Sequence, residues 1–231
     1  MKIGIIGAME SEISYILSRM NSKEETSKAG MKFVTGTIGK TEAVVVRSGV
    51  GKVNAAICTQ ILADCFSITH LINSGIAGSL NAEINIGDVV ISTDAVQHDM
   101  HAEVFGYKPG EVPGMGFQTF KADETLRRMT ADMIRKTAPE IAVFEGRIAT
   151  GDEFVSSSET KKRIREVFGA ECTEMEGAAI AQTASVNGIP FVIMRYISDK
   201  ADESAEISYP EFEAQAARHS AELIVSVLEQ F

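Results

Sequence analysis

Clustered lysine and arginine are what this 231-residue sequence most lacks. Acidic side chains outnumber basic ones by 32 to 22, for a formal net charge of −10, and nowhere do Lys and Arg gather into a patch. A surface for nucleic-acid phosphates is therefore not expected, and a small-molecule partner is. Cysteine is also scarce. Cys58, Cys65 and Cys172 stand in apolar or helical surroundings without metal-ligand spacing, which predicts reduced, buried thiols and a cytoplasmic setting. No apolar run approaches the ~20 residues that cross a bilayer, so no membrane partner is expected. The opening Met1–Glu10 is apolar but short, meets Glu10 and Glu12, and has no small-residue cleavage site, so a signal peptide is not expected. Repeats, low-complexity tracts and linkers are missing as well. With 45% hydrophobic and 23% charged residues, the chain has the balance of a globular protein, and one domain over residues 1–231 is expected. Two common phosphate-cradling motifs are absent. Gly4-Ile5-Ile6-Gly7 lacks the third glycine of a dinucleotide fingerprint, and Gly51-Lys52 is followed by Val53 with no glycine five residues earlier.

What is present reads as α/β. Strand-like apolar runs occur at Lys2–Ile6, Lys32–Ile38, Ala43–Arg47, His70–Ser74, Asp88–Ala95, Val143–Thr150 and Phe191–Ile197, several apolar on both faces, as in a sheet covered by helices. Between them, apolar residues three or four apart predict helices at Met9–Met20, Val53–Phe66, Glu124–Lys136, Ser158–Phe168, Met175–Asn187 and Ser208–Gln230. Asp123 is placed to cap the third, Gly188 and Pro190 to stop the fifth, and Ser208 with Glu211 to form a capping box around Pro210. The stretch Gln97–Phe120 holds six glycine or proline residues beside Phe105, Tyr107 and Phe117, and an irregular loop of that length is usually functional.

Three carboxylates stand where an apolar run gives way to a turn or helix: Glu12, Glu176 and Asp199. If the strands before them are parallel neighbours, their carboxyl ends share one crevice, the usual ligand site of open α/β sheets. Two glycine-bearing turns, Ser48–Asn54 and Asn73–Ser79, would let backbone approach a ligand there, although tight turns without a ligand explain them as well. Each acid also has a plainer explanation. Glu12 complements the positive end of the first helix, Glu176 stands three residues after Thr173 as in a capping box, and Ser198-Asp199 is a turn or cap signal. Met9 and Met175 suit a core as well as a pocket wall. The donors His98, Asp99, His101 and Glu103 offer a rival metal site, but without the helical His-Glu-x-x-His pattern or a third distant ligand; solvated loop residues explain them equally.

Taken together, Gly4–Glu10 with Glu12, Ser48–Asn54, Asn73–Gly78, Gly151–Phe154, Glu174–Glu176 and Ile197–Asp199 form six motifs in order over nearly the whole chain. With them the sequence resembles the bacterial 5′-methylthioadenosine/S-adenosylhomocysteine nucleosidases of the purine nucleoside phosphorylase superfamily. The resemblance implies a three-layer α/β/α fold around a central twisted mixed sheet, a homodimer, no metal and no organic cofactor. It implies that Glu12 positions and activates water and that Asp199, oriented by Ser198, protonates purine N7. Glu176 would hold the ribose hydroxyls, with Met9 and Met175 packed on the sugar and Arg195 near Glu12 and the water. Phe154 would stack on adenine while the Val155 backbone pairs with its edge, and Ile76, Ala77 and Gly78 would border the substrate. Val50 and Tyr209, with Ala102, Phe105, Tyr107 and Pro113 from the partner subunit, would line the 5′-thio pocket. The chain departs from the family at His101, more often acidic, at Ala102, more often larger, and at Ile76, more often small or hydroxylated.

The residue types fit that chemistry on their own terms. N-glycosidic cleavage builds positive charge on ribose and negative charge on the leaving base, so it needs a protonated acid at the base and an ionised carboxylate near sugar and water. Hydrolysis of 5′-thio-adenosines to adenine and a thioribose is the leading expectation, with aminodeoxyfutalosine as another substrate of the same type. Phosphorolysis would need a cationic phosphate pocket where Glu12 stands, with only Arg47 and Arg195 as candidates. A binding module without chemistry would have no use for acids on both sides.

Overall fold

Alternation along the central strands builds the molecule. A computed structural model describes residues 1–230, the side chains of Ile207, Ser208, Pro210 and Glu211 excepted. Its elements run β1 (Lys2–Gly7), α1 (Glu10–Arg19), β2 (Asn21–Lys28), β3 (Met31–Ile38), β4 (Thr41–Arg47), α2 (Lys52–Phe66), β5 (His70–Ser79), β6 (Val89–Gln97), β7 (Phe120–Lys121), α3 (Glu124–Thr137), β8 (Val143–Thr150), α4 (Ser158–Phe168), β9 (Cys172–Glu174), α5 (Gly177–Val186), β10 (Phe191–Asp199) and α6 (Ala205–Leu228). Ile3 and Ile5 of β1, Ala43 and Val45 of β4, and Val192 and Met194 of β10 join one buried cluster with residues of α1, α3 and α6. Their neighbours Ile6, Val44, Val46, Phe191 and Ile193 face the other way, into a second cluster with residues of α2 and α5. Successive strand side chains point to opposite faces, so a strand apolar at every position needs a helix layer on each side. The result is the expected three-layer α/β/α arrangement.

The sheet is mixed, in the order β10-β6-β8-β9-β5-β1-β4-β3-β2, with β7 on β6. At its centre β1 runs parallel to β4 and β5, and β10 parallel to β5. β10 also pairs antiparallel with β6, so β5, β9, β8, β6 and β10 close into a ring, where the sequence reading assumed a simple open sheet. Three strands escaped that reading. β2 is exposed at every position and carries Lys23, Glu24, Glu25 and Lys28 along the sheet edge; such a strand has no apolar alternation to detect, and its charges discourage pairing with another chain. β7 and β9 span two and three residues, too short for a periodic signal.

The helix signals held in part. Asp123 accepts from the Leu126 amide at 2.7 Å, as a cap should, and Gly188 takes a left-handed φ of 65° just past α5. α5, however, begins at Gly177 rather than Met175. α6 begins at Ala205, three residues before the capping box read at 208–211, because Asp202 starts the turn: its carbonyl accepts from the Ala205 amide at 2.8 Å and its carboxylate from Ser204. The side chains of Ser208 and Glu211 lie outside the described residues. Cys58 and Cys172 are buried but Cys65 is exposed, so the expectation of three buried thiols fails at Cys65. No helix among the described residues is long and apolar enough to cross a membrane.

Candidate active site

The three strand-end acids do meet. Because β1, β5 and β10 are parallel neighbours, their carboxyl ends fall on one edge, and there a cleft of about 550 Å³ opens that is lined by Glu12, Glu176 and Asp199 together. The end of β5 forms its floor through Ile76, Ala77 and Gly78; Ala8, Met9 and Val50 come from the turns after β1 and β4; Thr173, Glu174 and Met175 come from β9 and the turn after it. Glu153, Phe154 and Val155 supply the loop after β8, Ser198 stands beside Asp199, and Tyr209 reaches in from α6. Phe154 and Tyr209 meet edge to face at 5.2 Å, and the Tyr209 hydroxyl lies 3.6 Å from the Met9 sulfur.

Glu12 occupies the first turn of α1 and spends its whole carboxylate on backbone donors. One oxygen accepts from Ala8 at 2.6 Å and Met9 at 3.0 Å, the other from the Ile76 amide at 3.1 Å. The plain capping explanation is thus correct but incomplete, since the Ile76 contact bridges to β5 and turns the group toward the cleft. Burial pushes its pKa up, against the opposing pull of Arg195 and those three amides. At the other end, Asp199 is held by the Ser198 hydroxyl at 2.9 Å and the Ala201 amide at 2.8 Å; the Ser198 hydroxyl is as close to Asp199 as the resemblance implied. Burial raises the Asp199 pKa as well.

The glycines of β5 serve the site's own side chains as well as bordering the cleft at Gly78. A Cβ at Gly75 would stand 2.5 Å from Glu12 Oε1 and 2.7 Å from Arg195 Nη1, and one at Gly78 would stand 2.6 Å from Asp199 Oδ1. The bare backbone makes room for the charged side chains themselves.

Glu176 is not the cap of α5, although it sits at the N-cap position without a side-chain cap bond. Glu174 takes that role: its Oε2 accepts from the Glu176 and Gly177 amides at 3.0 and 2.7 Å. Glu176 instead accepts from Gly51 N at 2.8 Å and faces the cleft. Burial, reinforced by the neighbouring Glu174 charge, pushes its pKa up to about 8. Glu174 moves the opposite way: burial favours its neutral form, but the Arg195 guanidinium and the Thr150 hydroxyl more than offset that.

Arg195 lies near Glu12, as the resemblance implied, but it is the one single-chain site residue that does not border the cleft. It is 1% exposed and lies behind the cleft wall, where Nη2 donates to Asn73 Oδ1 at 2.6 Å and to Glu174. It therefore influences Glu12 through charge and does not border the cavity. Sequence reasoning missed Glu174, Thr173, Glu153 and Ala8 as lining residues. Glu174 had one usable signal, its place two residues before Glu176 beside a buried arginine; the others have none.

Ala102, Phe105, Tyr107 and Pro113 do not line the cleft of their own chain. Ala102 is buried, whereas Phe105 is 79% exposed with Val104 beside it at 86%. The rival metal site does not assemble: Asp99 pairs with Lys52 at 2.6 Å and accepts from the Asp152 amide, His101 contacts Glu103 at 3.2 Å, and His98 is buried among neither. Among the described residues no group of three His, Cys, Asp or Glu is arranged to hold a metal.

Comparison with known proteins agrees with this geometry. A sequence model of the phosphorylase superfamily matches residues 2–229. A protein of Geobacillus sp. strain WCH70 named 5′-methylthioadenosine/S-adenosylhomocysteine nucleosidase is 42% identical over 229 residues, covering 99% of this chain and 98% of its own. The crystal structure of the nucleosidase of that name from Neisseria meningitidis, in complex with methylthio-immucillin-A, superposes with a TM-score of 0.95 at 38% identity, over 100% and 99% of the two chains. Futalosine hydrolase of Helicobacter pylori strain 26695 superposes at 0.94 with 33% identity, over 100% and 98%.

Proposed function

The chain belongs to the phosphorylase superfamily and, within it, to the 5′-methylthioadenosine/S-adenosylhomocysteine nucleosidases, and from that premise we propose that it hydrolyses the N-glycosidic bond of these 5′-thio-adenosines to adenine and the corresponding thioribose. The observation that carries the reading is the placing of two buried acids at the two ends of one cleft. Glu12 approaches β5 at Gly75 and Ile76 while Asp199 pairs with Gly78; three residues of strand separate them by roughly 10 Å, enough for a sugar–base bond and an attacking water between.

Asp199 donates the proton to purine N7 as the bond stretches. It must start protonated, and its burial favours that form. Glu12 accepts the water's proton and its negative charge stabilises the cationic ribose. Glu176 accepts the ribose hydroxyls, Met9 and Met175 pack on the sugar, Phe154 stacks on the base, and the Val155 backbone pairs with its edge. The sequence of steps uses only water and these side chains.

Water rather than phosphate is the nucleophile because, among the described residues, no lysine or arginine lines the cleft. Arg195 is committed behind it to Asn73 and Glu174, and Arg47 lies in an adjoining cleft, 3.7 Å from Glu10. A dianion beside Glu12 would meet a negative charge, with Arg195 already shared among Glu12, Glu174 and Glu176. The outer mouth supports a homodimer. Val50 and Phe154 remain 47% and 45% exposed there, and the exposed Phe105 loop has the apolar character to cover the same region of a partner subunit, with Tyr107 and Pro113; Ala102, buried in its own chain, does not join them. The reading places the enzyme in the cytoplasm.

Incubation with methylthioadenosine, with and without phosphate, followed by measurement of free adenine, tests the reading. Adenine in both arms is expected; adenine only with phosphate would make the protein a phosphorylase, and none would end the proposal. The futalosine hydrolase likeness makes aminodeoxyfutalosine the second substrate to assay, beside S-adenosylhomocysteine and 5′-deoxyadenosine.

A further inference from the structure

Three carboxylates surround the guanidinium of Arg195: Glu12, Glu174 and Glu176. Only one of them holds it. Arg195 Nη2 donates to Glu174 Oε2, while Glu176 Oε2 stays 4.0 Å away. The choice is enforced from both sides. Glu174 is fastened by the Thr150 hydroxyl on Oε1 and by the Glu176 and Gly177 amides on Oε2; Thr150 is itself held by the Ala178 amide at 2.7 Å. On the far side Asn73 Oδ1 takes the same guanidinium nitrogen at 2.6 Å, and the Asn73 amide is anchored on the Ile6 carbonyl at 3.0 Å. The arginine is clamped between β5 and β9, beyond hydrogen-bond distance of Glu176.

We propose that Glu174 is a positioning residue for substrate binding: by holding Arg195 it keeps the guanidinium off Glu176, whose carboxylate is left free to accept the ribose hydroxyls. Glu176 spends one oxygen on Gly51 N and presents the other to the cleft with its lone pairs unspent. A bidentate arginine would occupy those lone pairs and compete with the sugar. The inference rests on the nucleosidase reading, since that reading gives Glu176 the ribose. The charged and titratable groups facing Glu176 are Glu174 on β9, Arg195 and Asp199 on β10, Glu12 on α1, Tyr209 on α6 and Glu153 on the loop after β8.

The test is Glu174→Gln, which keeps an oxygen for the α5 amides but removes the charge that holds Arg195. Binding of 7-deazaadenosine and of its 2′,3′-dideoxy form is measured by calorimetry, because a base without N7 cannot be protonated there and turnover does not intervene. Wild type is expected to prefer the diol by about tenfold, the scale of one or two hydrogen bonds, and Glu174→Gln to lose most of that preference. With methylthioadenosine, KM of the variant should rise about tenfold while kcat changes less than about threefold, a split that loss of folded protein would not produce. If Glu174→Gln does not fold, Glu174→Asp, which keeps the charge but withdraws it by one methylene, should lose part of the same preference. A diol preference retained in whichever variant folds overturns the positioning role. A wild-type protein with no diol preference overturns it together with the ribose assignment of Glu176, and a wild type with diol preference but no adenine release overturns only the nucleosidase reading.

Discussion

Replacing Glu176 by glutamine should make the protein more stable at neutral pH while spoiling its site. The side chain is 7% exposed and its pKa is pushed up to about 8, by burial first and by Glu174 second. At pH 7 the folded protein therefore holds Glu176 largely protonated, whereas the unfolded chain releases that proton near the ordinary carboxyl value of 4.5. Taking the proton up on folding costs about 3 kcal/mol at pH 7, at 1.36 kcal/mol for each unit between 4.5 and 7. The sign follows from the raised folded pKa: the contribution is fully favourable below pH 4.5 and is lost as pH rises toward 8. Glutamine fills the same volume and carries no such cost. For a chain of this length 1 kcal/mol moves Tm by ~2–4 °C, so Glu176→Gln should raise Tm by about 6–12 °C at pH 7. Thermal unfolding of both proteins followed by circular dichroism at pH 4.5, 7 and 8.5 gives the difference. The gain should be near zero at pH 4.5 and largest at pH 8.5. A gain independent of pH, or a variant less stable than wild type at pH 7, would refute the argument.

Asp199→Asn should lower kcat by about 10²–10⁴ with substrate binding retained, the usual contribution of a positioned general acid, as read by steady-state kinetics. Glu12→Gln should bind methylthioadenosine without releasing adenine; retained turnover would remove Glu12 from the proposed chemistry. Because burial raises both acids, the wild-type rate should fall as pH drops through the Glu12 value, where the base becomes protonated, and fall again as pH rises through that of Asp199; the residual activity of Asp199→Asn should lack the upper limb. Gly78→Ala places a methyl 2.6 Å from Asp199 Oδ1 and 2.9 Å from the Ala201 Cβ, so it should cost about 1–3 kcal/mol of stability by denaturant unfolding and reduce kcat as well.

How far the site was legible depended on what each residue needed from its neighbours. Glu12, Glu176 and Asp199 announced themselves because a carboxylate directly after an apolar run is conspicuous in one dimension. Glu174 carries the same functional group two residues from Glu176, yet nothing local says that one caps α5 and clamps an arginine while the other faces the cleft. Arg195 entered the site only through the family resemblance; β10 shifts register between Ile197 and Asp199, so simple alternation does not carry from one residue to the other, and the depth of Arg195 behind the wall depends on Asn73 and Glu174 from two other strands. The β5 glycines suit either a ligand or a tight turn on sequence alone, and only the packing of Glu12, Arg195 and Asp199 against them shows the further steric reason.

The sequence by itself determined the layers. Strands apolar at successive positions, such as Ile3-Gly4-Ile5-Ile6 and Phe191–Ile197, can satisfy both faces only between helices, and amphipathic segments of the right length lie between them; hydrophobic burial is local in pattern, so it can be read along the chain. Only the tertiary structure decided which strands neighbour which, that β10 pairs with both β5 and β6, and that an all-polar segment such as β2 becomes an edge strand. Those outcomes, like the choice of Arg195 among three buried carboxylates, follow from interactions between residues as far as 122 positions apart, whose strength depends on distance and desolvation in the assembled fold and leaves no periodic trace in the order of the amino acids.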